Sequence, residues 1–256
     1  SVSFGELYIR NIDGSYTSYG QVNFCPFGKL TETLDRNENQ IIIEEFNDFD
    51  TITTLPVWAQ IGDELVSITS IEDIVINSTN TTAKLLTVKR GILDTQVDVH
   101  YDGDSVFVWD VFNSSDENIY AMGEEVFAKV TSATLTSAIG IDDAEEISHK
   151  MQSRAIRPYP PQNVRIDGQY FPQQVFSSMF MVEWSHRNRT QQTGGEYIGW
   201  YESDITPENG VSYTVNLYVD NGLHTTSVTT DNFYEIDLTD TRFSTNVKIE
   251  VISERD

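Results

Sequence analysis

Cys25 is the one cysteine of the chain, and a thiol is a residue type suited to nucleophilic catalysis. A reactive thiolate needs a histidine partner and an electropositive environment. The four histidines, His100, His149, His186 and His224, lie far from Cys25 in the sequence, and no helpful motif surrounds it. We therefore interpret Cys25 as a buried apolar residue, and a single cysteine excludes an intrachain disulfide framework.

Carboxylates are abundant enough for acid–base or metal chemistry, since the chain has 40 Asp and Glu residues. Residues 35–39 space oxygen ligands like a calcium loop, but Gln40 stands where the turn needs glycine and Phe46 where a bidentate glutamate is needed. The acidic segment 44–50 could hold a hard cation, but it is more typical of a solvated loop. Nothing singles out a carboxylate pair for glycoside hydrolysis, whose separation is a spatial quantity.

The usual signatures of enzymes are missing from the sequence. There is no Gly-rich phosphate loop, no Gly-x-Ser-x-Gly elbow, no His-Glu-x-x-His pair and no Cys-x-x-Cys motif. We therefore predict that the chain is not an enzyme, with no catalytic residues, no cofactor and no metal site. A hydrolase with a pocket of converging carboxylates is the competing hypothesis.

Tyr197, Trp200 and Tyr201 form a local aromatic cluster bracketed by Gly194-Gly195 and Gly199. Aromatic side chains on β domains can stack on sugars, so these three residues are the candidate ligand-binding site. The commoner role of such a cluster is packing in a core or between strands. Both alternatives stay open at the level of the sequence.

The charge balance argues against some partners. The chain has 16 basic and 40 acidic residues, a net charge of −24, and such a surface repels phosphate backbones. We therefore expect no direct contact with nucleic acid. No stretch approaches 18 consecutive apolar residues, so no membrane span is predicted.

The elements that must position these residues are predicted to be strands. Short runs of alternating apolar and polar residues indicate an all-β fold with little helix. The clearest runs, 213–219 and 247–251, alternate as half-buried antiparallel strands do. The one predicted helix covers residues 142–151, where two aspartates could cap its start.

A proline-rich segment divides the chain. Residues 157–161 read Arg-Pro-Tyr-Pro-Pro, and three prolines in four residues favour extended geometry and cannot donate ladder hydrogen bonds. We interpret the segment as a stiff linker between a β-rich domain of residues 1–157 and a second domain of residues 158–256. A chain of 256 residues is long enough for two domains with their own cores.

Two segments of the first domain resemble a recurring pattern of bacteriophage tail proteins. Residues 89–95 read KRGILDT and are followed by His100, and residues 61–68 upstream read IGDELVSI. In that family the pattern closes a small β barrel, so the resemblance implies a barrel at about residues 56–110. Gly62 and Gly91 would let the chain bend sharply.

The resemblance also implies structural roles for the polar residues of these segments. Asp94 and Thr95 are expected to hydrogen-bond their own turn. Glu64, Arg90 and His100 are expected to be turn and barrel-closing residues and not catalysts. On that interpretation, Glu64→Ala or His100→Ala should alter stability by at most a few kcal/mol.

The second domain is similar to a fibronectin-type-III-like β sandwich of such proteins. Residues 153–168 resemble the linker and first strand, and Trp184 fits the second strand and its core tryptophan. Six strands can be counted after Pro161, whereas the resembled sandwich has seven. We therefore expect the last strand of the sandwich to be missing. Because the first residue is serine, we also expect the chain to be a fragment of a longer polypeptide.

The resemblance implies a structural component of a phage tail tip or tail hub. Such a protein is located in the virion, assembles the distal tail with other tail proteins, commonly as a homotrimer, and supports host attachment. The alternative is a carbohydrate- or receptor-binding module of a tail fibre or adhesin, which would use aromatics such as Trp200 and Tyr201.

Overall fold

The computed structural model describes residues 4–76, 81–109, 116, 118–134, 136–192, 197–203, 205–240 and 246–255. The all-β prediction is confirmed, with 52% strand and 3% helix. No helix in the described ranges is long and apolar enough to cross a membrane. Three units follow from the strand pairing: a closed barrel, a four-stranded sheet and a sandwich.

The barrel has six strands that pair antiparallel around a closed ring in the order β3-β4-β7-β6-β5-β8. They are β3 (Phe27–Leu30), β4 (Gln40–Asn47), β5 (Val57–Ile61), β6 (Glu64–Ile76), β7 (Thr81–Lys89) and β8 (Ser105–Trp109). The predicted range of 56–110 was too short, because β3 and β4 precede it. Alternate residues of each strand point inward and fill the core. Ile43, Ala59, Ile61, Val66, Ile68, Leu86, Val106 and Val108 are each 0% exposed.

The four-stranded sheet is built from the segments on either side of the barrel. It consists of β1 (Phe4–Arg10), β2 (Tyr16–Val22), β9 (Glu125–Ala133) and β10 (Glu146–Lys150), in the order β10-β9-β1-β2. The predicted helix over residues 142–151 was therefore wrong. Antiparallel pairing of β10 with β9 satisfies the backbone instead, and two apolar positions were too thin a stripe to hold a helix.

The two faces of this sheet differ in chemistry, as the alternation of strand residues requires. On one face Arg10 pairs with Glu146 at 3.2 Å and lies 3.4 Å from the ring centre of Phe127. We call the other face the neutral face, because no Asp, Glu, Lys or Arg occupies it. Its apolar residues are Gly5, Leu7, Ile9, Val22, Val126, Ala128, Val130 and Ile147.

The sandwich consists of two three-stranded sheets, in the orders β11-β12-β15 and β14-β13-β16. Its strands are β11 (Gln162–Ile166), β12 (Met179–Ser185), β13 (Val211–Val219), β14 (Gly222–Thr229), β15 (Phe233–Asp237) and β16 (Val247–Arg255). Trp184 is 1% exposed and packs edge-on against Tyr213 in the core, as predicted.

The count of six sandwich strands agrees with the prediction. Among the strands of the described ranges, β16 pairs with β13 alone, so its other edge has no strand beside it. Val247, Ile249 and Val251 of β16 pack against the sandwich core but are only partly buried. Among the residues that the structure describes, the sandwich is therefore open along β16.

Candidate functional site: the barrel closure and its junction with the sandwich

Three of the predicted residues meet in one buried cluster at the end of the barrel. Glu64 begins β6 directly after the turn at Gly62, Arg90 follows the last residue of β7, and His100 forms an isolated bridge with Leu34. The side chains of Glu64 and Arg90 are each 1% exposed, and that of His100 is 6% exposed. The antiparallel pairing of β6 with β7 brings Glu64 and Arg90 together, and His100 reaches them from the loop that bridges to Leu34.

The Glu64 carboxylate accepts five hydrogen bonds. Oε1 accepts from Arg90 Nε at 2.7 Å and from the Gly91 amide at 2.8 Å. Oε2 accepts from Arg90 Nη2 at 2.8 Å and from the Asp98 amide at 3.0 Å. His100 Nε2 lies 2.9 Å from Oε2, and an ionised carboxylate only accepts, so the imidazole proton is on Nε2.

The Arg90 guanidinium uses all five of its N–H groups. Besides the two bonds to Glu64, Nη1 donates to the carbonyls of Asp35 at 3.0 Å and Glu38 at 2.8 Å. Nη2 donates its second hydrogen to the Asp98 carbonyl at 2.7 Å. Arg90 therefore joins the loop before β4, the end of β7 and the loop after Gly91.

The electrostatics of the cluster favour a permanently charged pair. Burial alone raises the pKa of Glu64, but hydrogen bonds from Arg90 and His100 and the charge of Arg90 outweigh it, so that the pKa lies below its usual value. The carboxylate stays ionised at neutral pH, and its lone pairs are taken by donors of the protein. Such a group holds the chain together and has no acceptor free for a substrate.

Some turn residues of the resembled pattern form the predicted turns, and others contact distant segments. Gly62 and Gly91 adopt φ values of 55° and 56°, as the predicted sharp bends require. Thr95 stays within its turn, because its hydroxyl donates to the Ile92 carbonyl at 2.8 Å. The same hydroxyl accepts from the Leu65 amide at 3.1 Å.

The prediction that Asp94 bonds its own turn was wrong. Asp94 accepts from Arg154 at 2.6 and 2.7 Å and from Arg157 at 3.1 Å. Burial alone raises the pKa of Asp94, but the two guanidinium groups outweigh it and lower the pKa. The linker is thus attached to the barrel, which local sequence spacing could not show.

Arg187 is the main residue of the site that the sequence analysis missed. It follows β12 of the sandwich, is 2% exposed, and donates to the barrel carbonyls of Thr95 at 2.8 Å and of Gly91. Its Nε donates to Gln162 Oε1 at 2.7 Å. Burial lowers the pKa of Arg187 to about 10, so it is still charged at neutral pH. The sequence signal that could have pointed to Arg187 was its position two residues after β12, the strand that contains Trp184.

The predicted ligand-binding aromatics lie in the same junction. Trp200 is 3% exposed, its amide donates to the Arg90 carbonyl at 2.8 Å, and a side chain at Gly91 would come within 3.0 Å of its Cβ. The Tyr201 hydroxyl donates to the Arg36 carbonyl. Tyr197 packs edge-on against Trp58 of the barrel, with ring centres 5.1 Å apart. Trp200 is therefore no exposed platform for a sugar, because its indole ring is covered by the rings of Phe171, Tyr170 and Tyr201.

A cavity of about 410 Å³ lies elsewhere, on the first sheet of the sandwich. Its wall includes Arg165, Glu183 and Phe233, which are direct neighbours across β11, β12 and β15 and form one row. The Arg165 Nε atom is buried without a hydrogen-bond partner. Neither Arg165 nor Glu183 forms an ion pair within the described part of the chain.

In the described residues, no group of three or more His, Cys, Asp or Glu side chains is arranged to hold a metal ion. The acidic segment 44–50 contributes one ion pair, between Lys29 and Glu45. Cys25 is partly buried, and burial raises the pKa of its thiol, which disfavours the reactive thiolate. The chain matches no protein-family model and no curated protein.

Proposed function

We propose that this chain is a structural component of a bacteriophage tail tip or tail hub. In this role it assembles the distal tail with other tail proteins and supports host attachment in the virion. The observation that carries the proposal is the cluster of Glu64, Arg90 and His100. Both segments that resemble the tail-protein pattern contribute to it, and they meet in one buried network at the end of a closed barrel.

The junction between the barrel and the sandwich supports a structural role. Arg187 and Trp200 bond the sandwich to the barrel, and Arg154 and Arg157 bond the linker to Asp94. These contacts hold the barrel and the sandwich in one orientation. A fixed orientation suits a structural component that must position neighbouring proteins in an assembly. The resemblance further implies several copies per assembly, commonly three.

The test is the location of the chain in the phage that encodes it. We expect its peptides in mass spectra of purified virions, and immunogold label at the tail end in electron micrographs. An antibody against a capsid protein is the control for label position. A phage with the gene disrupted should produce tails with an incomplete tip. Absence of the chain from purified virions would contradict the proposal.

A second candidate function, saccharide binding, is favoured by the row of Arg165, Glu183 and Phe233. Its cavity of about 410 Å³ falls in the range of ~300–1,000 Å³ typical of small-molecule sites. The row offers a cationic donor, an anionic acceptor and an aromatic ring that is 48% exposed. A neutral sugar presents hydroxyls that donate and accept, together with C–H groups that can pack on the ring.

Isothermal titration with neutral hexoses and with glucuronate tests this candidate. Saturable binding of a neutral hexose should be lost in Arg165→Met and in Glu183→Gln. Arg10→Met, which removes a cation from another sheet, is the matched control and should bind normally. If no neutral hexose binds, or if binding survives both substitutions, the saccharide function is wrong.

A further inference from the structure

The neutral face of the four-stranded sheet is apolar and uncovered. Within the four strands only Gly5 is buried. Val130 and Ile147 are 40% and 57% exposed, whereas the inward residues of the barrel, such as Ile61, are 0% exposed. A sheet face of this composition is normally packed against another layer, because its burial is the main source of stability.

The neutral face is a true face and not a scatter of apolar residues. A Cβ atom at Gly5 would lie 2.9 Å from Val22 Cγ2 and 3.0 Å from Val130 Cγ1, so these side chains meet above Gly5. Leu7 lies directly opposite Val130, and Ala128 lies between Ile9 and Ile147 on its two neighbouring strands. The apolar surface is therefore continuous across β10, β9 and β1.

The distribution of charge indicates what kind of partner fits this face. All Asp, Glu, Lys and Arg residues of the four strands lie on the opposite face, including Glu6, Lys129 and Glu146. The whole chain has a net charge of −24, so two copies repel each other over most of their surfaces. A basic partner would be attracted by acidic residues, and this face has none. His149 also lies on this face, opposite Val126. A surface without Asp, Glu, Lys or Arg is what two equally acidic molecules need in order to meet.

We propose that the neutral face is the surface through which copies of this chain associate. The contact buries the apolar side chains of β1, β9 and β10 from each copy and leaves the charged face of the sheet in solvent. This inference deepens the proposed function, because it names the surface on which copies in the tail tip meet. In that respect the inference rests on the proposed function. The two can fail separately, since association is measured on the purified chain and location is measured in virions.

Sedimentation velocity over a range of protein concentrations tests the proposal on the whole chain. The wild-type chain should exceed its monomer mass of 29.0 kDa as concentration rises. Ile147→Glu and Val130→Glu should each raise the dissociation constant by about tenfold or more, because a buried unpaired charge is costly. Both positions are exposed in the single chain, so circular dichroism should show an unchanged fold.

The matched controls place the same charge on the other face of the same strands. Ser148→Glu and Thr131→Glu should associate like the wild type. Ile147→Lys should weaken association as Ile147→Glu does, because the effect comes from burying a charge and not from its sign.

Three outcomes would overturn the proposal. The first is a wild-type chain that stays monomeric at every concentration. The second is equal weakening by Ile147→Glu and Ser148→Glu, which would reflect general repulsion. The third is association that survives both Ile147→Glu and Val130→Glu, which would place the contact elsewhere.

Discussion

The barrel and the four-stranded sheet use the same alternating pattern of Val, Ile and Ala with different results. In the barrel the inward residues Ile61, Val66 and Val106 are 0% exposed, whereas Leu7, Ile9 and Val126 of the sheet stay partly exposed. A closed barrel pairs every strand on both sides and covers its inner face with its own strands. The open sheet does neither, so alternation alone does not determine burial.

The two units also differ in how they use ion pairs. Glu64 and Arg90 of the barrel are each 1% exposed, whereas the side chains of Arg10 and Glu146 on the sheet are 31% and 33% exposed. A buried pair is costly to break because the remaining charge has no solvent, whereas an exposed pair loses little. The barrel therefore depends on its ion pair far more than the sheet does.

The largest predicted effect breaks the barrel pair. Glu64→Ala should lower the free energy of unfolding by about 5 kcal/mol, the upper end for a charge left unpaired in a buried site. This value is larger than the loss of at most a few kcal/mol that was expected when Glu64 was interpreted as a turn residue. The matched control on the sheet, Glu146→Ala, should cost about 1 kcal/mol or less. Chemical denaturation of both variants measures the difference, and equal effects would contradict the contrast between the two units.

The same pair should make the barrel sensitive to acid. The pKa of Glu64 is lowered in the folded chain, so its contribution is present above the unfolded value of about 4.3 and is lost as pH falls through the folded value. Glu64→Gln should remove this part of the acid dependence. Melting temperatures measured from neutral to acidic pH would show it as a shallower fall in the variant.

The sandwich provides the second largest effect. Trp184→Ala should cost about 3 to 5 kcal/mol, because it removes a large side chain from a packed core. Phe176→Ala is the control, since Phe176 is 95% exposed and should change stability by less than about 0.5 kcal/mol. A small effect of Trp184→Ala would mean that the sandwich core is loosely packed and does not resemble the barrel.

The junction should show a smaller effect. Arg187→Met leaves the carbonyls of Gly91 and Thr95 without this donor, which should cost about 1 to 3 kcal/mol. Because Arg187 joins the sandwich to the barrel, the variant should also separate their unfolding into two transitions in calorimetry. A single transition at an unchanged temperature would show that Arg187 does not couple the two units.

Local patterns in the sequence predicted some features of the site well. The bends at Gly62 and Gly91, the core position of Trp184 and the structural position of Glu64 with Arg90 follow from residue type and from the resemblance. Each depends on a short segment or on two adjacent strands, which alternation and turn chemistry can indicate.

Other features depend on contacts between distant segments, and these were missed. The roles of Arg187, Asp94 and Trp200 are set by the packing of the sandwich on the barrel. The strand β10 was predicted as a helix because two aspartates could cap its start, and its pairing with β9 was not read from the sequence. The pairing of β1 with β9 joins the chain across the whole barrel, and no local pattern indicates it.

The smallest predicted effect is a difference in amide exchange at the open edge of the sandwich. It is measured on the unmodified chain, so stability is unchanged. β13 is paired with β14 on one side and β16 on the other, whereas β16 has a neighbour on one side only within the described ranges. Amide hydrogens of β13 should therefore exchange slowly along its length, while those of β16 should alternate between slow and fast. Amide exchange measured by nuclear magnetic resonance resolves single residues in both strands. Slow exchange along the whole of β16 would mean that another strand covers this edge, and the sandwich would then be as closed as the barrel.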